Sequence, residues 1–321
     1  MRILRYGRAA GADRGAVLAI GNFDGLHLGH QTVLAEARAR ARAAGARFGV
    51  LTFEPHPRSV FQPGTAPFRL TPFRDKVRLM AALGVELLVA RPFSIGFAKK
   101  TAEDFVRELL VGALGVRQVV VGYDFVFGNA RRGNPALLRE LGTEHGFGVN
   151  VVDPVANASG AAYSSTLIRK HLSEGRPREA AALLGRWWEM GGHVQTGERL
   201  GRTIGFPTAN LGLADYLRPL PGVYAVRAAV GEGGAARWHD GVANLGWRPT
   251  VGGRDLRLEA HLFDFSGDLY GKPLRVAFIG HLRPEQRFAG LDALKAQIAA
   301  DCEKAREMLR GGQKLPLEDD A

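Results

Sequence analysis

The chain of 321 residues holds one cysteine, Cys302. A lone thiol excludes an internal disulfide framework and any zinc site built from several cysteines. It lies on a charged, helix-patterned segment and reads as a structural residue. No apolar run approaches the roughly 18–20 residues that cross a bilayer. Arg2, Arg5, Arg8, Asp13 and Arg14 interrupt the N-terminus and leave no apolar signal core. No basic block of about five or six residues occurs, which argues against a nucleic-acid-binding tail. Lys plus Arg still outnumber Asp plus Glu by 43 to 32, a formal net charge of +11. Such an excess suits polyphosphate substrates, nucleic acid or an anionic membrane, or reflects a general arginine bias. These absences predict a reduced, cytoplasmic, soluble protein with neither a membrane nor a nucleic-acid partner. They carry no signal for an oligomeric state.

What is present divides into two unlike halves, with hydrophobic residues at 46% and charged residues at 23%. Between Ala16 and Asp153, short apolar runs (Val17–Ile20, Arg47–Phe53, Val85–Ala90, Gln118–Gly122, Val149–Val152) alternate with helical patterns (Gln31–Ala43, Arg74–Leu83, Ala102–Leu114, Pro135–His145). That alternation predicts a parallel sheet with helices on both faces, a doubly wound α/β domain. Ser165–Glu174 and Pro177–Leu184 read as a helical connector. Beyond Arg186 glycines recur between short alternating runs. Val223–Val230, Gly241–Leu245, Leu256–Phe263 and Leu274–Ile279 predict an antiparallel sheet closed into a barrel. A last helix over Leu291–Leu309 packs on it. The expected domains are residues 1–185 and 186–321.

Gly21-Asn22-Phe23-Asp24-Gly25-Leu26-His27-Leu28-Gly29-His30 follows the first strand and opens the first helix, where open α/β sheets bind ligands. A helix start offers unpaired N–H groups to phosphate, and His27 and His30, three apart, project to one side. Imidazoles there can stabilise charge in phosphoryl or nucleotidyl transfer. The competing reading is a capping pair. Zinc is disfavoured, because no third ligand sits at a matching local spacing. In the second half, Gly192–Gly197 and Gly201–Gly205 precede Phe206-Pro207-Thr208-Ala209-Asn210. Gly197, Gly201 and Gly205 permit a loop that folds over phosphates. On a strand Thr208 and Asn210 share a face, and their neutral oxygens suit Mg²⁺ bridging ATP phosphates. The competing reading is a glycine-rich hairpin ending in an Asn turn.

The first of these segments resembles the signature of the H-x-G-H nucleotidyltransferase superfamily in its bacterial FAD synthetase form. Thr52-Phe53-Glu54-Pro55-His56-Pro57-Arg58, Gly122-Tyr123-Asp124-Phe125-Val126-Phe127-Gly128 and Ser164-Ser165-Thr166-Leu167-Ile168-Arg169 resemble further elements of that form. The resemblance implies ATP on Gly21, Phe23, Asp24 and Gly29, with His27 and His30 catalytic. It implies Ser164, Ser165, Thr166 and Arg169 over the triphosphate. Asp124 would orient ribose or adenine, or close a turn. Phe125 and Phe127 would stack on an isoalloxazine ring, or be core. Asp24 and Glu54 stand as auxiliary acids. Tyr163 replaces the aliphatic residue expected before the S-S-T element.

Gly201-Arg202-Thr203-Ile204-Gly205-Phe206-Pro207-Thr208-Ala209-Asn210-Leu211 resembles the riboflavin kinase signature. Asn244–Thr250, Leu258–Phe263 and Asp268–Gly271 agree with it, whereas Val251 stands where that family carries an aromatic. The resemblance implies Glu259 as general base. Trp187 and Trp188 read as packing rather than flavin platforms. Together the motifs resemble the prokaryotic bifunctional riboflavin kinase/FAD synthetase family. The implied fold is a Rossmann-like domain followed by an antiparallel β-barrel with a C-terminal helix. The implied ligands are riboflavin, FMN, ATP and Mg²⁺. A nucleotidyltransferase with another acceptor, and a flavin- or nucleic-acid-binding module, are the rival readings.

Overall fold

The computed structural model describes residues 1–5, 9–155, 162–196, 201, 204–213, 215–231, 233, 236–250 and 253–310. The chain falls into two compact units. One comprises Met1–Ala66 and Phe73–Ser164, the other Pro67–Pro72 and Ser165–Ala321.

The first unit runs β1 (Arg2–Leu4), β2 (Val17–Ile20), α1 (Leu28–Ala43), β3 (Phe48–Glu54), α2 (Pro57–Phe61), α3 (Phe73–Ala82), β4 (Leu87–Pro92) and α4 (Ile95–Ala98). It continues through α5 (Ala102–Asp104), which passes into a π-helix (Phe105–Leu114), then β5 (Gln118–Gly122), α6 (Pro135–His145) and β6 (Gly148–Val152). The six strands pair in the order β1-β4-β3-β2-β5-β6, all parallel. Strand side chains alternate between faces. Val119 and Val121 therefore pack with Phe105 and Leu110, and Val120 with Val33, Leu34 and Ala37 of α1. A strand buried on both faces needs the unbroken apolar run that the sequence shows there. Asn134 caps α6 by accepting from the Leu137 N–H at 3.0 Å, and Gly146 ends that helix at φ +76°.

From β2 the chain winds outward through β3 and β4, then returns to β5 on the other side of β2. The order reverses between β2 and β5. The loops that leave their carboxyl ends flank the crevice in which such sheets bind ligands.

The second unit runs α7 (Ser165–Ser173), α8 (Pro177–Leu184), β7 (Glu189–His193), β8 (Ala209–Gly212), β9 (Gly222–Val230), β10 (Arg237–Thr250), β11 (Gly253–Leu262), β12 (Pro273–Arg283) and α9 (Leu291–Arg310). Its six strands pair antiparallel in the order β7-β12-β9-β10-β11-β8. A bridge between Gln195, just past β7, and Asn210 on β8 nearly closes the barrel. One face of the strands (Leu211, Leu258, Leu245, Tyr224) is buried inside. On the other face, Val223, Ala225 and Val242 pack with Cys302, Ala305 and Leu309 of α9. Arg283 also ties α9 to β12, with Nε and Nη2 on the buried Asp301 carboxylate at 2.7–3.0 Å.

The doubly wound sheet and the barrel with its C-terminal helix stand as the sequence predicts. Several local features differ, among them α2, α4, β7 and β8, which are too short for a period to show. β1 is a three-residue edge strand, too short for a period to show. β10 extends well beyond Gly241–Leu245, because its ladder to β9 and β11 carries Arg237–Asp240 and Gly246–Thr250 against their apolar-poor pattern. α7 and α8, read as a connector, are packed into the second unit, where Ala181 of α8 joins the apolar cluster between the outer face of the barrel and α9.

Candidate active sites

In the first unit, the turn after β2 is backbone-strained. Phe23 and Leu26 have φ +48° and +45°, and Gly25 has φ +88°. Non-glycine residues held in that region point to a functional constraint. Asp24 and His27 are buried at the base of the turn. His27 is the N-cap of α1, its Nδ1 accepting from the His30 N–H at 3.2 Å. With Nδ1 an acceptor, a neutral imidazole carries its proton on Nε2 and presents it as a donor. The two imidazoles stack at 3.6 Å, 18° from parallel, with Phe23 edge-on to His30. The capping contact does not separate the two readings of this pair, since the cap itself holds the rings together at a helix start. Gly29 leaves space for His27 and Tyr163: a Cβ there would lie 3.2 Å from Tyr163 Cβ and 3.3 Å from His27 Nδ1. Gly21 likewise lies against the Phe23 ring, 3.1 Å from where its own Cβ would be.

The loop after β5 forms the other wall. Asp124 is exposed. Phe125 and Phe127 stack 5.4 Å apart, but Phe127 is buried in the core against Phe105, and Phe125 is only partly covered. The ring contacts run on from Phe105 through Phe97 and Phe53 to Phe93 and Phe61, with centroids 5.7–6.4 Å apart. Phe61 is 58% exposed, far more than a core ring. This aromatic chain was not read from the sequence. Its members stand on separate elements, each an ordinary core residue in its own window, and only the fold joins them.

The S-S-T-x-x-R element straddles the division between units. Ser164 ends the first, and Ser165, Thr166 and Arg169 belong to the second, on α7. Arg169 Nε donates to the Phe68 carbonyl at 2.9 Å, and its guanidinium lies 5.5 Å from the Phe68 ring centre.

In the second unit, the ladders place Asn210, Glu259 and Asn244 side by side on β8, β11 and β10. Directly opposed residues of antiparallel strands share a face, with Cβ atoms about 4.5–5.5 Å apart. All three are partly exposed, whereas Ala209, Leu258 and Ala260, on the other face, are buried. Two carboxamides thus flank one carboxylate. His261, two residues on, has Nδ1 2.8 Å from the Pro207 carbonyl oxygen and tethers the start of the P-T-A-N strand. Thr208 and Asn210 line a cavity of about 80 Å³ together with Asp268 and Tyr270. Gly201 approaches the same place: the Phe206 N–H donates to its carbonyl at 2.8 Å, and a Cβ at Gly201 would collide with the Phe206 carbonyl. Gly205 takes φ +90°. Gly197 lies outside the described residues. A Cβ at Gly246 would collide with the Glu285 carboxylate and crowd the Asn244 amide. Asn244 and Glu285 were given no role from sequence; cross-strand register alone reveals the first, and a loop contact the second. Trp188 is fully buried, donating from Nε1 to the Leu70 carbonyl at 2.9 Å.

A parallel sheet whose switch-point crevice holds an imidazole pair, joined in one chain to a barrel bearing a carboxylate between carboxamides, defines a two-domain nucleotide-dependent transferase. Residues 10–167 match the family model for FAD synthetase, and residues 184–309 that for riboflavin kinase. The bifunctional riboflavin kinase/FMN adenylyltransferase of Escherichia coli strain K12 is 42% identical over 310 residues, covering 96% of this chain and 97% of the relative. That of Pseudomonas fluorescens is 43% identical over 296 residues, 92% of this chain and 93% of the relative. A crystal structure of a macrolide-efflux protein from Streptococcus pneumoniae superposes with a TM-score of 0.83 at 30% identity, covering 97% of this chain and 99% of that one. Among the described residues no helix is long and apolar enough to cross a membrane.

The chain belongs to the bifunctional riboflavin kinase/FMN adenylyltransferase family. It phosphorylates riboflavin to FMN with ATP and adenylylates FMN to FAD with a second ATP.

Proposed function

We propose that the two steps fall to the two domains expected from the sequence, the adenylyltransferase to residues 1–185 and the kinase to residues 186–321. The observation that carries the assignment is the Asn210–Glu259–Asn244 row beside the Thr208 cavity. Glu259 accepts the proton of the ribityl 5′-hydroxyl as that oxygen attacks the γ-phosphorus of ATP. The bond to the bridging oxygen breaks, and ADP leaves. Gly201 and Gly205 give the chain beside this cavity the backbone freedom to approach the ATP phosphates. Among the described residues no cluster of His, Cys, Asp or Glu could hold a metal by itself. The neutral oxygens of Thr208 and Asn210, on one face at the cavity wall, fit Mg²⁺ bound mainly by the phosphates of ATP. When bound, that ion supplies neutralisation of charge on the transferred group.

In the adenylyltransferase, a phosphate oxygen of FMN attacks the α-phosphorus of ATP and pyrophosphate leaves. His27 Nε2 and His30 donate to oxygens on which charge grows. Gly21, Phe23, Asp24 and Gly29 form the floor for ATP, and Asp124 takes its ribose or base. Ser164, Ser165, Thr166 and Arg169 take the departing phosphates through hydroxyls and guanidinium. The flavin ring lies on the uncovered part of the aromatic chain, at Phe61, Phe93 and Phe125, with Phe127 beneath. ATP as a substrate of both steps puts the enzyme in the cytoplasm.

The test is His30→Ala in the full chain, supplied first with riboflavin and then with FMN, each with ATP and Mg²⁺. FAD formation is expected to stop while FMN formation continues. Parallel loss of both activities in a folded protein would refute the division of labour.

A further inference from the structure

Beneath the imidazole turn lies a buried cation that the chemistry above does not use. Lys76, on α3, is only 2% exposed. Its Nζ donates to the Asn22 carbonyl at 2.6 Å, and Thr52 Oγ1, fully buried at the end of β3, donates to the same oxygen at 3.3 Å. A buried ammonium is costly unless firmly bonded. One of its bonds goes to a backbone carbonyl, at the point where the chain enters its strained conformation.

The consequence follows from peptide geometry. The Asn22–Phe23 bond is trans, so its C=O and N–H point in opposite directions. Drawing the Asn22 oxygen down onto Lys76 turns the Phe23 N–H away from α3. Among the described residues no acceptor takes that N–H. Phe23 itself holds φ +48° and lies edge-on to His30.

We propose that Lys76 is a positioning residue of adenylyl transfer: its grip on the Asn22 carbonyl aims the Phe23 N–H into the crevice, as a donor to the triphosphate of ATP beside His27 and His30. The proposal rests on the first unit being the adenylyltransferase. Thr52 assists at the same oxygen with a longer bond.

The test uses the full-length enzyme with Lys76→Ala, Thr52→Val and His30→Ala, measuring FAD formation from FMN, FMN binding by flavin fluorescence, and FMN formation from riboflavin. Lys76→Ala is expected to lose at least about tenfold in kcat for FAD formation, the scale of one misdirected donor. Its KM for FMN and its kinase rate should stay within twofold. Added ethylammonium should restore part of that kcat saturably, which a merely structural lysine would not allow. Thr52→Val should lose about two- to fivefold in kcat, less than Lys76→Ala because its bond is longer. A Lys76→Ala enzyme with unchanged kcat, or one that binds FMN but ignores ethylammonium, overturns the proposal. If Lys76→Ala fails to bind FMN at all, Thr52→Val decides, and an unchanged kcat there overturns it equally. Retention of FAD formation by His30→Ala sinks the adenylyltransferase reading instead, a separate outcome.

Discussion

Replacing Glu259 by Gln isolates one proton transfer. The substitution keeps the length and planarity of the side chain on β11, and the register with Asn210 and Asn244 is carried by backbone bonds that it leaves intact. Glutamine can still donate to or accept from the ribityl hydroxyl, so riboflavin binding should change little. It cannot take the proton. General-base catalysis contributes about 10²–10⁴-fold, which corresponds to about 2.7–5.5 kcal/mol of barrier at 1.36 kcal/mol per decade. The riboflavin kinase kcat should fall by that factor, with KM for riboflavin within about threefold. The assay is chromatographic separation of riboflavin, FMN and FAD at saturating ATP and Mg²⁺, with a parallel reaction supplied with FMN. That second reaction should proceed at the unmodified rate. A kinase kcat unchanged to within a factor of two, or a loss confined to KM, would show that Glu259 binds substrate without moving its proton.

Further consequences concern stability and reactivity. Trp188→Phe keeps an aromatic ring against Phe278, 5.2 Å away, but strips the Leu70 carbonyl of its donor. Denaturant unfolding of the second unit should lose about 0.5–1.5 kcal/mol, the net contribution of one hydrogen bond, and a loss near zero would show that this bond does not stabilise the fold. Burial pushes the His281 imidazole below its ordinary value of 6.5. The unfolded chain then binds the proton more readily, so this contribution to stability is complete above 6.5 and is lost as pH falls through the lower folded value. The melting temperature of the second unit should drop over that acid range, and His281→Gln should flatten the drop. His171, lowered by burial and by Arg176, acts in the same direction. The Cys302 thiol is pushed up to about 11 by burial and by the neighbouring Asp301. Iodoacetamide at neutral pH should label it far more slowly in the native protein than in the denatured one, and equal rates would refute its burial.

Much of this molecule is legible in one dimension. Val17–Ile20, Gln118–Gly122 and Pro135–His145 begin and end in the structure where their strand and helix patterns predict. The imidazole pair is legible too, because a helix N-cap and its third residue are neighbours by local geometry alone. Phe127 shows where that reasoning stops. Its motif allows a ligand-facing ring or a core ring, and only the packing of Phe105, on the preceding π-helix, buries it. Lys76 is the converse: an ordinary helix cation in sequence, buried under a turn that precedes it by more than fifty positions in the chain.

Local sequence settled most of the longer strands and helices, since backbone propensity and hydrophobic period act over a few residues. It also settled which chemistries are present, because imidazole, carboxylate and glycine-rich turns declare themselves by type and spacing. Long-range pairing decided the rest. Asn244 meets Glu259 through the register of two strands, phenylalanines from separate elements form one aromatic chain through helix and loop packing, and Pro67–Pro72 joins the second unit although the chain on either side of it belongs to the first. Such contacts are fixed by the free energy of burying whole faces together, a quantity that no short window of sequence contains.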